Sequence, residues 1–512
     1  VSKPFVPSPQ QEAIFADIAE GEGHTVCISR AGSGKTTTLI EGLKHLPSEV
    51  SQDALLVAFN KKIAQELEQR APRGVAVSTL HSYGLRQLSA ALPQRPTVDK
   101  DGEKLFKILC DAIPKKYSGG AASPIGPIKK IVSMAKSQLA MKPEAIDAMI
   151  DTYDMALPEN IEREDVVKIV GKALDMCLDD QSTVDFDDMP WMPCMLKMSM
   201  TTYARVFVDE GQDLAPVQIR LALKAADRDS RVLVTADDRQ SCYAFRGADA
   251  NAVGNIIRKL DAKTLNLSTT YRCAKAIVRQ VRHIVPDFEA APDAPEGIVR
   301  EADIAAAVAG ADAGDFIVSR SNAPLTRLFF KFVKAGKRVG IQGRDIGARL
   351  KEIVLKADKM AQGNVEVMLA NVQAWKEKEV KRLVEKKRDT TSVRDTAACI
   401  DAIAEDASSV DEVLGRIGRM FEDNPAGDKG KIILGTTHAV KGLERDRVWM
   451  LRDTYLLPRV RRDAKGDPIK DEKGSWIFDE PGIEDQNLFY ICCTRARREL
   501  VMVYGAYRSD EE

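Results

Sequence analysis

TVCISRAGSGKTTTL, residues 25–39, decides how the fold is read. Its first four residues, Thr25–Ile28, form a short β-prone run of the kind found in strands buried on both faces. The run gives way to SRAGSGK, and a helical pattern opens at Lys35. Gly32 and Gly34 let successive backbone N–H groups converge on phosphate oxygens, and the N-terminus of the following helix adds a favourable dipole. Lys35 would then reach the β- and γ-phosphates of a nucleotide, and the Thr36 hydroxyl would ligate Mg²⁺. Ser29 stands where the general P-loop pattern has its first Gly, so the match is to the GSGKT core. A Gly-rich turn arising by chance would need neither the strand before it nor the helix after it.

A nucleotide-hydrolysing site needs an acid at the tip of a second buried strand. RVFVDEGQD (205–213) supplies one. Asp209 would hold Mg²⁺ through water, and Glu210 would polarise the attacking water. Alone, two acids after a strand could simply cap the next helix. Beside Lys35 and Thr36 they complete an ATP site, so ATP and Mg²⁺ are the expected cofactors.

Other buried β-rich runs are Ala54–Phe59, Val75–Val77, Val206–Val208, Val232–Val234, Phe316–Val318, Lys431–Leu434, Val448–Leu451 and Leu500–Val503. Helical patterns separate them, which predicts α/β architecture with parallel sheets. Residues 86–200 carry helical patterns with few strand signals, and so do residues 346–428, which include the charged stretch WKEKEVKRLVEKKR. Both are expected to be helical insertions. Residues 287–297 read as a surface connection, and the polar stretch between Pro458 and Pro481 as a hairpin or long loop.

The chain of 512 residues exceeds what one hydrophobic core supports, so two or more domains are expected. A formal net charge of −1 excludes a histone-like polycation but leaves room for a local basic groove. The nine cysteines show neither a CxxC pair nor a Cys/His ligand spacing, so buried reduced thiols are expected and a zinc site is not. No apolar run approaches membrane-spanning length, and VSKPFVPSPQ has no signal-peptide core, which points to a cytoplasmic protein with no membrane partner.

The motifs, taken together, resemble those of the UvrD/Rep/PcrA group of superfamily 1A DNA helicases. PSPQQEAI (7–14) is similar to the Q motif, AGSGKTT (31–37) to motif I, and VAFNKKIAQEL (57–67) to motif Ia. VSTLHSYG (77–84) resembles the next DNA-contacting motif, VDEGQD (208–213) motif II, and ADDRQSCYAFRGA (236–248) motif III. TTYR (269–272), GTTHAVKGLE (435–444) and LFYICCTRA (488–496) resemble motifs IV, V and VI. The resemblance implies two RecA-like P-loop NTPase domains with helical insertions and ATP bound between them. Domain 1A would comprise residues 1–85 and 201–262, with 1B at 86–200. Domain 2A would comprise 263–345 and 429–512, with a reduced 2B-like insertion at 346–428.

The resemblance also implies residue roles. Gln10 would recognise adenine and Tyr271 would stack on it, while Ala31, Gly32, Ser33, Gly34, Lys35, Thr36 and Thr37 would cradle the phosphates. Arg272 and Arg495 would meet the γ-phosphate, Gln240 would sense it, and Glu444 would hold the ribose. Single-stranded DNA would lie on Phe59, Asn60, Thr79, His81, Tyr243, Phe245, Arg246 and His438, gripped by base stacking and phosphate contacts. Arg239 stands where the family usually has Asp, and Phe245 where it usually has Trp.

The implied activity is ATP-dependent 3′→5′ translocation on single-stranded DNA with helicase action at ss/dsDNA junctions, of the kind used in DNA repair. A protein partner in repair, replication or defence is part of that expectation. The segment 346–428 is too short for the family's large 2B domain, and with motif VI close to residue 512 a fused nuclease is not expected. Two other readings stay open: a translocase that removes proteins or serves a nuclease partner with little unwinding, and an ATP-driven switch or scaffold in a complex.

Overall fold

The computed structural model describes residues 5–117, 123–242, 252–359, 361–385, 390–422, 430–455, 459–460, 478–479 and 482–506. The chain divides into two compact units, Val1–Ser268 and Thr269–Glu512. The fold is α/β, with an all-parallel main sheet in each unit.

In the first unit the strands are β1 (Thr25–Ser29), β2 (Ala54–Ala58), β3 (Ala76–Thr79), β4 (Tyr203–Val208), β5 (Ala226–Ala236) and β6 (Lys263–Leu267). They lie in the order β3-β2-β4-β5-β1-β6, every pair parallel. Alternation of side chains explains why their apolar runs are continuous. Val26, Leu55, Val57, Val206, Val208, Val232 and Val234 enter the core on one face. Cys27, Leu56, Phe207 and Leu233 enter a second core on the other. Burial on both faces removes any need for polar residues at alternate positions.

The first face continues without a break into the helices between β3 and β4. The helix Leu80–Ala91 runs through residue 85, so the expected boundary there falls inside one continuous element. It packs on the helix Asp188–Met195, where a Cβ at Gly84 would come within 2.0 Å of the Met189 carbonyl oxygen. Four charges are buried next to this contact. Lys104 Nζ lies 2.8 Å from Asp188 Oδ2, and Lys136 Nζ lies 2.8 Å from Asp188 Oδ1 and 3.1 Å from Asp185 Oδ2. Paired in this way, each charge has the partner that burial demands.

In the second unit the strands are β7 (Ile298–Asp303), β8 (Phe316–Ser319), β9 (Val339–Gln342), β10 (Phe421–Glu422), β11 (Ile432–Thr436), β12 (Arg445–Leu451) and β13 (Ala496–Tyr504). Their order is β7-β13-β12-β8-β11-β9-β10, again all parallel. The described residues between 346 and 428 form helices, Arg344–Asp358, Val365–Glu385, Thr391–Ala404 and Val410–Met420, followed by β10. Leu350, Val372, Ile400 and Ile417 of these helices share one core with Ile317, Leu434 and Val501 of the sheet. The insertion is therefore built into the wall of this unit.

Two stretches expected as connections contain short pairings. Glu289–Ala290 pairs in parallel with Thr269–Thr270, and Arg459–Val460 pairs antiparallel with Phe478–Asp479. The rest of the expected hairpin lies outside the described residues.

Gly84→Ala places a methyl group against a backbone carbonyl that cannot rotate away. It is expected to lower the unfolding free energy by about 1–3 kcal/mol, as overpacking does. Urea denaturation followed by circular dichroism checks this, and an unchanged midpoint would refute the close approach.

Candidate nucleotide site and nucleic-acid interface

The loop after β1 turns into the helix Lys35–Leu43 through two glycines with positive φ, Gly32 at 70° and Gly34 at 80°. Gly34 caps the helix, a left-handed conformation that a Cβ would oppose. The tip of β4 carries Asp209 and Glu210 past it, with only β5 between the two strands. Thr36 Oγ1 donates to Asp209 Oδ2 at 2.8 Å, and Lys35 Nζ donates to Glu210 Oε2 at 2.9 Å. The other Asp209 oxygen accepts from Thr235 Oγ1 of β5 at 2.5 Å. Glu210 has φ 56°, a left-handed backbone that costs a non-glycine residue about 1–2 kcal/mol. Strain of that kind concentrates at functional sites.

The electrostatics are those of charges held close in a dry place. Burial pushes the Asp209 carboxyl above its ordinary value, and Glu210 adds to this while Lys35 opposes it. Burial also works against the Lys35 charge, but Glu210, Asp237 and Asp209 outweigh it and hold the ammonium above its usual value. A hydroxyl and a carboxylate oxygen converging at Thr36 and Asp209 form a hard-oxygen pair of the kind that suits Mg²⁺. Among the described residues no cluster of three or more His, Cys, Asp or Glu side chains could hold a metal by itself. No disulfide is present, and eight of the nine cysteines are buried, Cys110 being the exposed one.

Gln10 pairs in both directions with Ser268: Nε2 donates to Ser268 Oγ at 2.8 Å, and Oε1 accepts from Ser268 N at 3.0 Å. Its neighbour Gln11 does separate work that was not singled out by sequence. Gln11 completes a capping box with Ser8 and donates to Thr38 Oγ1 at 2.9 Å, tying the first helix to the phosphate-loop helix. The signal that separates the two glutamines is the Ser-x-x-Gln spacing of Ser8 and Gln11, a capping-box pattern.

A second omission is the chain of amides and acids that follows β5. Glu210 Oε2 accepts from Gln212 Nε2 at 2.5 Å, and Gln212 Oε1 accepts from Asp237 N at 2.9 Å. Asp237 Oδ2 in turn accepts from Gln240 Nε2 at 2.6 Å. Asp237 is fully buried, and burial raises its carboxyl pKa against the pull of Lys35 and Arg30. Gln240, expected as a phosphate sensor, is thus joined to the acid at the β4 tip within one unit. Asp237 caps the turn through Oδ1, which accepts from the backbone N–H of Arg239, the departure from the family pattern, at 3.1 Å. Tyr243, Phe245 and Arg246 lie outside the described residues.

In the second unit, Tyr271 is 52% exposed, and its ring is accessible. Arg272 Nε pairs with Glu444 Oε2, while Glu444 Oε1 accepts from Arg497 Nη2 at 2.7 Å. Arg495 is buried and donates to the carbonyls of Ile491 at 3.0 Å and Leu443 at 3.2 Å. Burial first, and Arg272 second, depress its pKa to about 10. Motifs distant in sequence therefore meet as an arginine cluster around one carboxylate. Arg497 was not singled out by sequence, because its neighbours Arg495 and Arg498 are of the same type.

The remaining strand-contact candidates sit at helix starts. Asn60 caps Lys61–Arg70 by accepting from Ile63 N at 2.9 Å, beside the half-buried Phe59. Thr79 caps Leu80–Ala91 by accepting from Ser82 N at 3.2 Å, and Thr436 caps Thr437–Val440 by accepting from Ala439 N at 3.4 Å. Each cap is followed two residues later by a half-buried histidine, His81 in one unit and His438 in the other. Burial lowers the His81 pKa, with Asp187 opposing.

The UvrD/REP helicase N-terminal domain family matches residues 8–261, and the UvrD-like helicase C-terminal domain matches residues 344–507. The chain belongs to the UvrD/Rep/PcrA-like helicase family. An ATP-dependent DNA helicase PcrA of Bacillus subtilis is 25% identical over 54% of this chain and 39% of its own length. A probable DNA helicase II homolog of Rickettsia felis is 26% identical over 54% of this chain and 44% of its own. A DNA helicase II of Haemophilus influenzae is 24% identical over 54% of this chain and 40% of its own. The matches span about two-fifths of these relatives. Among the described residues no helix is long and apolar enough to cross a membrane.

Glu444→Gln should destabilise the second unit by about 1 kcal/mol at neutral pH, since charge-assisted bonds contribute more but this carboxylate is partly solvated. Burial raises the Glu444 pKa, but Arg272 and Arg497 outweigh it and hold it below the ordinary value of 4.5. The stabilisation is therefore present above that value and lost as pH falls through the folded-state pKa. Thermal melts of wild type and variant should converge below about pH 4; a gap that widens on acidification would contradict the ion-pair assignment.

Proposed function

We propose that the protein is an ATP-driven motor that moves 3′→5′ along single-stranded DNA and unwinds duplex at ss/dsDNA junctions. The observation that carries this reading is the meeting of Thr36 with Asp209 and of Lys35 with Glu210 at two strand tips of one parallel sheet. Family membership supports it, as do relatives named ATP-dependent DNA helicases.

In this reading Gln10 and Tyr271 take the adenine, Ala31–Thr37 cradle the phosphates, and Lys35 exchanges Glu210 for the β- and γ-phosphates. Thr36 and Asp209 would hold a magnesium ion, which supplies charge to offset that of the phosphate oxygens. Release from Lys35 frees Glu210 to orient and polarise the attacking water. Gln240 reads the terminal phosphate, and Arg272 and Arg495 complete charge neutralisation in the transition state, with Glu444 moving to the ribose. Arginines of this kind contribute about 10³–10⁵ in kcat. The strand lies on Phe59, Asn60, Thr79, His81 and His438, with Tyr243, Phe245 and Arg246 adding stacking and phosphate contact. Stacking contributes about 1–3 kcal/mol per base and does not depend on sequence.

A second reading, a translocase that removes proteins from DNA or serves a nuclease partner, draws support from the segment 346–428. Its helices share the core of the second unit rather than forming a separate duplex-contacting arm. DNA repair is the process in which either motor would act, in the cytoplasm.

Single-stranded DNA should raise ATP turnover strongly, and turnover indifferent to DNA would refute the motor. Lys35→Ala and Glu210→Gln should each abolish hydrolysis, the second while retaining ATP binding; activity surviving either change would remove that residue from its role. Strand displacement on 3′-tailed, 5′-tailed and RNA substrates separates the two readings. The helicase unwinds only the 3′-tailed DNA, whereas a protein-removing translocase hydrolyses ATP without displacing the strand.

A further inference from the structure

Arg30 has no part in the roles above, yet it joins the two segments whose cooperation the proposed reaction needs. Its backbone N–H donates to the Leu267 carbonyl of β6 at 2.9 Å, which fixes the chain just before the phosphate loop. Its guanidinium reaches across to the turn after β5, with Nη1 2.5 Å from Asp238 Oδ1 and 3.6 Å from Asp237 Oδ1. The Arg30 side chain is 10% exposed, so this charge is held in a defined place rather than waving in solvent.

The turn it grips, Asp238–Gln240, carries the candidate phosphate sensor. Gln240 is fixed by Asp237, and Asp237 by Gln212 from the β4 tip. These bonds place the turn relative to β4. The Arg30 contacts with Asp237 and Asp238 tie it by charge to the strand that leads into the phosphate loop, beside the hydrogen bond that Ser29 Oγ donates to the Ala236 carbonyl at 3.1 Å. One guanidinium nitrogen set between two carboxylates, with the Asp238 contact the close one, holds the turn near the strand by a charge-assisted bond.

We propose that Arg30 is a positioning residue for ATP hydrolysis. Its ion pair with Asp238, backed by Asp237, locks the 238–240 turn against the phosphate loop, so that Gln240 meets the terminal phosphate in one geometry. This rests on the nucleotide-site reading above. Because Arg30 acts through Gln240 and is occupied by carboxylates, its loss affects the chemical step and leaves nucleotide affinity intact.

The test is ATP turnover by the full chain, with and without oligo(dT), in Arg30→Ala, Asp238→Ala, Gln240→Ala, Arg30→Lys and the Arg30→Ala/Gln240→Ala double variant. Arg30→Ala and Asp238→Ala should each lower kcat about tenfold and leave KM for ATP within about twofold, the pattern of an interaction made only in the transition state. The double variant should be no slower than Gln240→Ala alone, because the two residues act as one unit. Arg30→Lys should recover kcat to within about threefold. If the losses multiply in the double variant, if KM rises with kcat intact, or if Asp238→Ala is silent, the proposal is overturned. Asp238 is 41% exposed, so its variant tests the ion pair even where Arg30→Ala fails to fold. Failure of the motor reading shows separately, as wild-type turnover unmoved by oligo(dT), and the cycle is then read in the basal rate.

Discussion

The first unit depends on two short polar contacts at the end of its sheet, Thr36 with Asp209 and Lys35 with Glu210. Asp209 is buried and accepts from two threonine hydroxyls, while the largely buried Lys35 ammonium has the Glu210 carboxylate as its partner, as burial of polar groups demands. The contacts need β1 and β4 to end level with each other, and that level is set by parallel pairing through β5. They also need a loop that passes through left-handed backbone at Gly32 and Gly34. The sheet order, the glycines and the strained Glu210 backbone are thus connected consequences of bringing four side chains together.

From that centre, a line of hydrogen bonds leads away from the nucleotide loop. Glu210, Gln212, Asp237 and Gln240 are linked in turn, and Arg30 reaches the same turn from the opposite side. Any ligand that draws Lys35 from Glu210 must disturb the first member of this line. Rigid, buried hydrogen bonds pass such a change on as a shift between discrete arrangements, because packed polar networks do not deform continuously. The second unit has an analogous economy: one carboxylate, Glu444, holds Arg272 and Arg497 while burial strips Arg495 of its hydration.

Much of this was legible in the sequence, for identifiable reasons. β2 and β4 announce themselves because burial on both faces demands continuous apolar runs. β6 does not, since Lys263, Thr264 and Asn266 are exposed along it. β7 hides for the same reason, being an edge strand with Arg300 and Glu301 in solvent. That Lys35, Thr36, Asp209 and Glu210 would come together was legible, because a Gly-rich strand-to-helix loop and a pair of acids after a second strand mark two strand tips of one sheet. Arg30 was not, because the acid it pairs with lies 208 residues away. Sequence likewise pointed to helices between residues 346 and 420, but not to their sharing a core with the sheet, since an amphipathic face does not name what covers it.

In the proposed motor, nucleotide and DNA strand are bound by one coupled device, built outward from the β1 and β4 tips. Its most direct test is fluorescence anisotropy of labelled oligo(dT) binding, with and without a non-hydrolysable ATP analogue, paired with analogue binding measured with and without oligo(dT). Coupling requires the two affinities to shift by the same factor, typically about 5–150-fold. A reciprocal shift in that range is the result predicted here; two affinities each indifferent to the other ligand would contradict it.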